Sequence, residues 1–226
     1  MAAESAHGRN DPACAFELSM LTSRRKQINA CEGFSMVEMI ISMVITLIIL
    51  GVAVTVFSTA IGRRAREASR ADAITSAEAA LNIMSREIGN SGYGLETNGI
   101  ALDSTANRLH FRANTVNEGG NNTTVDPGED IIFYLDGTGA DQSVVRHDNN
   151  TGETSGIINR ISSVNFEYQN YVNSGTAPVG ASTSTGKIKI TLTVILENVQ
   201  GQPSNQTVTV SSEVTLRNSP YMRGQY

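Results

Sequence analysis

The chain has 226 residues and a formal net charge of −5, from 17 Lys+Arg against 22 Asp+Glu. That length suits one domain, or one domain with an appendage. With 40% hydrophobic and 17% charged residues the chain is neither disordered nor a polytopic membrane protein. It has no basic excess to hold a phosphate backbone, so no nucleic-acid partner is expected.

Taken in chain order, both cysteines, Cys14 and Cys31, come early, and Arg24-Arg25-Lys26, Glu32-Gly33 and Phe34-Ser35-Met36-Val37-Glu38 follow. From Met39 to Gly62 the next 24 residues contain no Asp, Glu, Lys, Arg or His, and ten of them are Ile or Val. A secretory signal has an apolar core of roughly 7–15 residues and a small-residue cleavage site after it. Here the run is longer, and Gly62-Arg63-Arg64-Ala65-Arg66 follows it, so the segment reads as a retained membrane helix. At roughly 1.5 Å per residue such a helix spans about 36 Å, enough for a hydrocarbon core of about 30 Å. Ser42, Thr46, Thr55, Ser58 and Thr59 can return their hydroxyls to helix carbonyls. Arg24, Arg25 and Lys26 favour a cytoplasmic N-terminus while Arg63, Arg64, Arg66 and Arg70 oppose it, so charge alone leaves the orientation open.

The string Gly33-Phe34-Ser35-Met36-Val37-Glu38, with basic residues before it and the apolar helix directly after, resembles the class III leader of type IV prepilins and pseudopilins. The resemblance implies that a prepilin peptidase cuts between Gly33 and Phe34 and methylates the new amino group of Phe34. Glu38 then becomes the fifth mature residue, where that family keeps an assembly glutamate. Met36 departs mildly from the leucine or threonine usual at its position. A glutamate at a helix N-terminus also has a plain reading, since the macrodipole favours it there by about 0.3–1 kcal/mol. The leader is expected to cover residues 1–33, or to start at Met20. Either way it takes both cysteines with it and leaves a mature chain that cannot form the C-terminal disulfide of many major pilins. The implied partners are the prepilin peptidase, the inner membrane before assembly, and other pilins or pseudopilins met through the N-terminal helix. The implied location is a single-pass inner-membrane protein with a cytoplasmic N-terminus and periplasmic head, which later joins a pilus or pseudopilus.

Residues 34–62 form the expected membrane and filament-core helix, and residues 63–92 its amphipathic continuation. Ile74, Ala77, Leu81, Met84 and Ile88 are spaced 3, 4, 3 and 4, which makes one apolar stripe opposite Arg70, Asp72, Glu78, Arg86 and Glu87. Two heptads are short for a coiled coil, so a sheet from the same chain is the expected cover. Gly89-Asn90-Ser91-Gly92 suits a left-handed helix cap. The run Arg86-Glu87-Ile88-Gly89-Asn90-Ser91-Gly92-Tyr93 resembles the "R-E-I-x-x-A-G-Y" junction of PilW-type minor pilins and J-type type II secretion pseudopilins, with Ser91 in place of the alanine.

Residues 93–226 are expected to form a β-rich head. Alternation places strands around Leu109–Ala113, Asp130–Leu135, Val164–Tyr168, Ile188–Leu196 and Val208–Leu216. Turn-rich stretches separate them at 117–128, 136–139, 148–156, 174–186 and 200–205. The fold class is therefore α+β and pilin-like: a long N-terminal helix, half membrane and half amphipathic, packed on a mostly antiparallel sheet.

No catalytic set is visible in the head. After Gly33 there is no cysteine, and the only histidines are His110 and His147. His110 alternates with strand residues and reads as solvent-facing. Asp148-Asn149-Asn150-Thr151-Gly152-Glu153 loosely resembles a calcium loop but lacks the closing glutamate, so a polar hairpin turn is expected. Asp126-Pro127-Gly128-Glu129-Asp130 reads as a turn before a strand. No enzyme activity, cofactor or metal is expected. Three roles compete: a minor pilin that initiates or caps a type IV pilus, with the J-type pseudopilin as sibling; a surface module whose polar loops bind a ligand or DNA; and a membrane-anchored enzyme, for which residues are lacking.

Overall fold

The computed structural model describes residues 33–116, 122–170, 180–198 and 203–224, so the leader, the cysteines and parts of three expected turn stretches lie outside the described residues. The chain divides into two compact units, Met1–Val56 and Phe57–Tyr226. Helix α1 (Met36–Gly89) enters both. Its first half is rich in β-branched residues, which are mediocre helix formers in water. In hydrocarbon, where every backbone polar group must be satisfied within the segment, helix is the available single-segment form. The hydroxyls behave as expected: Ser42 Oγ donates to Met39 O (2.9 Å), Thr46 Oγ1 to Ser42 O (2.7 Å) and Thr55 Oγ1 to Val52 O (2.8 Å).

In the second unit α1 buries Ala77, Ala80, Leu81, Met84 and Ile88, while Ile74 is half-buried. These residues share one core with both sheets of the head. The first sheet has the order β1 (Arg108–Arg112), β2 (Asp130–Asp136), β3 (Ser143–Asp148), β4 (Thr154–Asn159). The second has the order β5 (Ile161–Asn170), β6 (Thr185–Ile195), β7 (Thr207–Thr215). All neighbouring strands are antiparallel. The α+β architecture expected from the sequence is present, but the strands divide into two sheets.

The second sheet has the clean in–out alternation the sequence displays, because one of its faces is covered and the other is wet. The first sheet does not. Leu109, His110 and Phe111 are all buried in β1, and Asp130 to Phe133 are all buried in β2. Strands β3 and β4 were not anticipated. A bulge between Val144 and Val145 leaves two adjacent residues buried, which breaks the period of two. β4 is exposed over most of its length, so it shows no apolar pattern. The turn expected over 148–156 is shorter: Asp148 N donates to Glu153 O (2.9 Å) and Gly152 N to Asp148 O (2.8 Å), and strand resumes at Thr154. A single residue, Arg160 at φ 55°, links β4 to β5 and so connects the two sheets.

The segment after α1 is clamped to the head. Gly92, at φ 76°, reverses the chain, and its N–H donates to Arg112 O (2.8 Å). Ser91 is fully buried and donates its hydroxyl to Asn98 O (2.6 Å). An alanine there would lack that bond, so the departure from the resembled junction has a local physical role. Asn98, also fully buried, donates from Nδ2 to Ser182 O (2.9 Å) and Thr185 O (2.8 Å), which ties the junction to the start of β6. A short helix α2 (Pro220–Arg223) was not anticipated; Arg223 Nη1 donates to Leu95 O (3.1 Å) and Glu96 O (2.7 Å) on the same junction.

Candidate functional site

Gly33 is exposed, and a Cβ built on it meets nothing within 4 Å. Phe34 is 78% exposed, and regular helix begins two residues later at Met36. The bond the expected peptidase would cut therefore lies in non-helical chain, beside a small residue. Glu38 lies in the first turn of α1, two residues past its start at Met36 and four past Phe34 in the chain. Among the described residues no cation stands within ion-pair distance of Glu38.

Directly after Glu38 the helix presents large apolar side chains on every face. Ile40, Ile48, Leu50, Val54 and Phe57 are each at least 57% exposed. An apolar stripe on one side would need only one neighbour, whereas this surface needs an apolar surround, either lipid or several other helices. α1 is the one helix among the described residues long and apolar enough to cross a membrane. Residues 28–54 match the family model described as the prokaryotic N-terminal methylation motif. The chain therefore carries a prokaryotic N-terminal methylation motif over these residues. The match supports a type IV pilin or pseudopilin, with processing by a prepilin peptidase and assembly with other pilins, and it is consistent with an inner-membrane anchor. Gly33, Phe34 and Glu38 all fall inside the matched residues. No curated protein and no solved structure matches the chain.

The head gathers polar residues that sequence reading left apart. His110 is buried, which corrects the solvent-facing expectation. Its Nδ1 lies 2.7 Å from Asp103 Oδ1 and its Nε2 2.5 Å from Asp130 Oδ1. His110 stands opposite Ile132 in the ladder, so Asp130 is its diagonal neighbour on β2. Arg108 Nη1 reaches Asp103 Oδ2 (2.9 Å), and Arg112 Nε donates to Asp130 Oδ2 (3.0 Å), which extends the chain of polar contacts at both ends. Partial burial pushes the Asp103 carboxyl up, but the hydrogen bond and charge of His110 and the charge of Arg108 outweigh it and hold the carboxyl below its ordinary value. Tyr168 closes the cluster by donating its hydroxyl to Thr105 O (2.8 Å), and burial raises its pKa. Both imidazole nitrogens and the Ser104 hydroxyl are engaged, the latter with the His110 backbone. The cluster fastens the 101–107 turn to β1, and Phe166 N donates to Ala106 O (2.7 Å), so that turn also joins the two sheets. Asp103 and Asp130 are separated in sequence, and no local pattern marks them as partners.

In the acidic stretches 126–130 and 148–153, Glu129 and Asp148 turn their carboxylate oxygens to backbone amides. Glu129, 1% exposed, accepts at Oε1 from Thr115 N (2.6 Å) and Val116 N (2.9 Å), and at Oε2 from Asp126 N (3.2 Å). Asp148 accepts at Oδ2 from Gly128 N (2.6 Å) and at Oδ1 from Asn150 N (3.0 Å). These are the turns the sequence suggested. Among the described residues no cluster of three His, Cys, Asp or Glu side chains could hold a metal. Glu87, expected on the wet face of the helix, is partly buried and pairs with Arg146 Nε on β3 at 2.8 Å.

Proposed function

We propose that the chain is a minor pilin, a non-enzymatic structural subunit that helps initiate or cap a type IV pilus after cleavage between Gly33 and Phe34 and methylation of Phe34. The observation that carries the proposal is the bare apolar helix beginning right after an exposed Gly33-Phe34 bond, with Glu38 as its single early charge. A charge deep in a bilayer costs about 2.5–3.5 kcal/mol on insertion scales, so it calls for a partner. Cleavage supplies one: an α-ammonium on Phe34. In a bundle of such helices the ammonium of one subunit neutralises Glu38 of the next, which sets the register of insertion. The head, with one shared core and its polar clusters spent on holding the fold, serves as the body this helix carries.

The Arg86–Tyr93 junction supports the PilW-type reading and equally its sibling, the J-type pseudopilin, which shares that junction. N-terminal sequencing of the membrane-extracted protein is the direct test, with methylated Phe34 as the expected first residue. Gly33→Phe should leave the full precursor in the membrane; a product of normal length would refute the assignment. Cross-linking mass spectrometry on the same membranes separates the siblings: pilus subunits as neighbours support the minor pilin, and secretion-system subunits replace it with the pseudopilin.

A further inference from the structure

Four arginines stand in the eight residues after the apolar run: Arg63, Arg64, Arg66 and Arg70, with Glu67 as the one acid among them. Arg63, Arg64 and Arg70 are exposed. Among the described residues no carboxylate, Glu67 and the nearby Asp72 included, stands within ion-pair distance of these three. Arg66 is half-buried, its Nε donating to Gly62 O at 3.2 Å. Steps of 3, 4, 4, 3 and 4 carry Arg63 through Arg66, Arg70, Ile74 and Ala77 to Leu81, so Arg70, expected opposite the apolar stripe, lies in line with it, and the arginines continue the stripe that meets the head core. Arg64 lies about 100° round the helix, which widens the basic sector.

We propose that Arg63, Arg64 and Arg70 form a collar that binds the phosphates of anionic lipid headgroups in the leaflet on the head side. The inference rests on the membrane reading of the Met39–Gly62 run. A 24-residue apolar helix fills the hydrocarbon, and the next residues must then lie at headgroup depth. A guanidinium there has an apolar stem for the acyl boundary and a planar donor fork that matches a phosphate bidentately. Lipid phosphate is favoured over an acidic protein face because the collar is continuous with the membrane span. The collar also gives the arginines on that side a role that holds whichever way loop charge orients the chain.

The test uses the full chain reconstituted in phosphatidylcholine vesicles, with spin-labelled phosphatidylglycerol or spin-labelled phosphatidylcholine as the probe. The parent chain should enrich the anionic probe in its motionally restricted lipid shell. One arginine at an anionic surface is worth about fivefold, so Arg63→Gln, Arg64→Gln and Arg70→Gln together should lower the preference at least that much. Molar salt, with a Debye length of about 3 Å, should erode the parent's preference in the same direction. All three residues are exposed, so an unchanged melting curve will confirm that the variant is folded. A variant that keeps the parent's preference overturns the collar. Carbonate-resistant flotation reports separately on the membrane reading: a chain that floats without lipid preference overturns the collar alone, and a chain that does not float overturns both.

Discussion

Gly99 and Gly152 offer a controlled comparison of what clamps the helix to the head. Both hold φ at +75°, so alanine at either pays the left-handed penalty of about 1–2 kcal/mol. They differ in surroundings. A Cβ at Gly152 meets nothing within 4 Å, whereas at Gly99 it would stand 2.2 Å from Arg112 O and 2.3 Å from Gly92 N. Both atoms are backbone, so no side-chain rotation relieves the overlap. The chain must move, and with it the pair of 2.8 Å bonds from Gly92 N to Arg112 O and from Arg112 N to Gly99 O. Leaving buried backbone groups unpaired costs about 1–3 kcal/mol each. Gly152→Ala should therefore lose about 1 kcal/mol and Gly99→Ala about 3–5 kcal/mol. For a unit of this size each kcal/mol lowers Tm by about 2–4 °C, so the two variants should melt roughly 5–15 °C apart. Thermal unfolding of the full chain in detergent, followed by near-ultraviolet circular dichroism, reads the difference. Equal melting temperatures would refute the argument that close backbone approach, rather than torsion alone, makes Gly99 necessary.

Replacing Glu38 with Val should leave processing at Gly33 intact but strip the subunit from sheared filaments, as measured by the filament-to-membrane ratio; undiminished incorporation would remove the pairing argument. Met84 is fully buried on the helix stripe, so Met84→Ala should cost about 2–5 kcal/mol in denaturant unfolding, with a loss under 1 kcal/mol contradicting the packing described. Asp103 has a depressed folded-state pKa, so its contribution to stability is present above its unfolded value of about 3.9 and disappears as pH falls through the lower folded value. Asp103→Asn should therefore flatten the low-pH end of the melting profile, readable by calorimetry across pH, and a profile as steep as the parent's would refute the assignment.

Periodicity was sufficient for α1 and for the second sheet because each has one covered face and one wet face. Ala77, Leu81, Met84 and Ile88 declare the helix stripe, and Ile188, Ile190, Leu192 and Val194 declare β6. The same signal located β1 and β2 but not their burial on both faces, and it missed β3 and β4, where a bulge or a bare strand leaves no alternation. His110 shows why. Alternation with Leu109 and Phe111 pointed it to water, but Asp103 and Asp130 occupy that side and make burial tolerable. Glu87 moved from the wet face in the same way, once Arg146 came beside it.

The motif segment was legible because Gly33, Phe34, Glu38 and the apolar run after them are adjacent in the chain, inside the residues that match the methylation motif. A glycine, an aromatic residue and a carboxylate at fixed spacing before an apolar run need no folding partner to be read. Sequence by itself thus determined the long apolar helix, the motif at its start and the β-rich class of the head. The division into two sheets through Arg160, the Asp103–His110–Asp130 cluster and the Ser91–Asn98 clamp were decided only in three dimensions. His110 reaches Asp130 from another strand and Asn98 reaches the start of β6, and the burial of these groups depends on neighbours that local pattern does not specify.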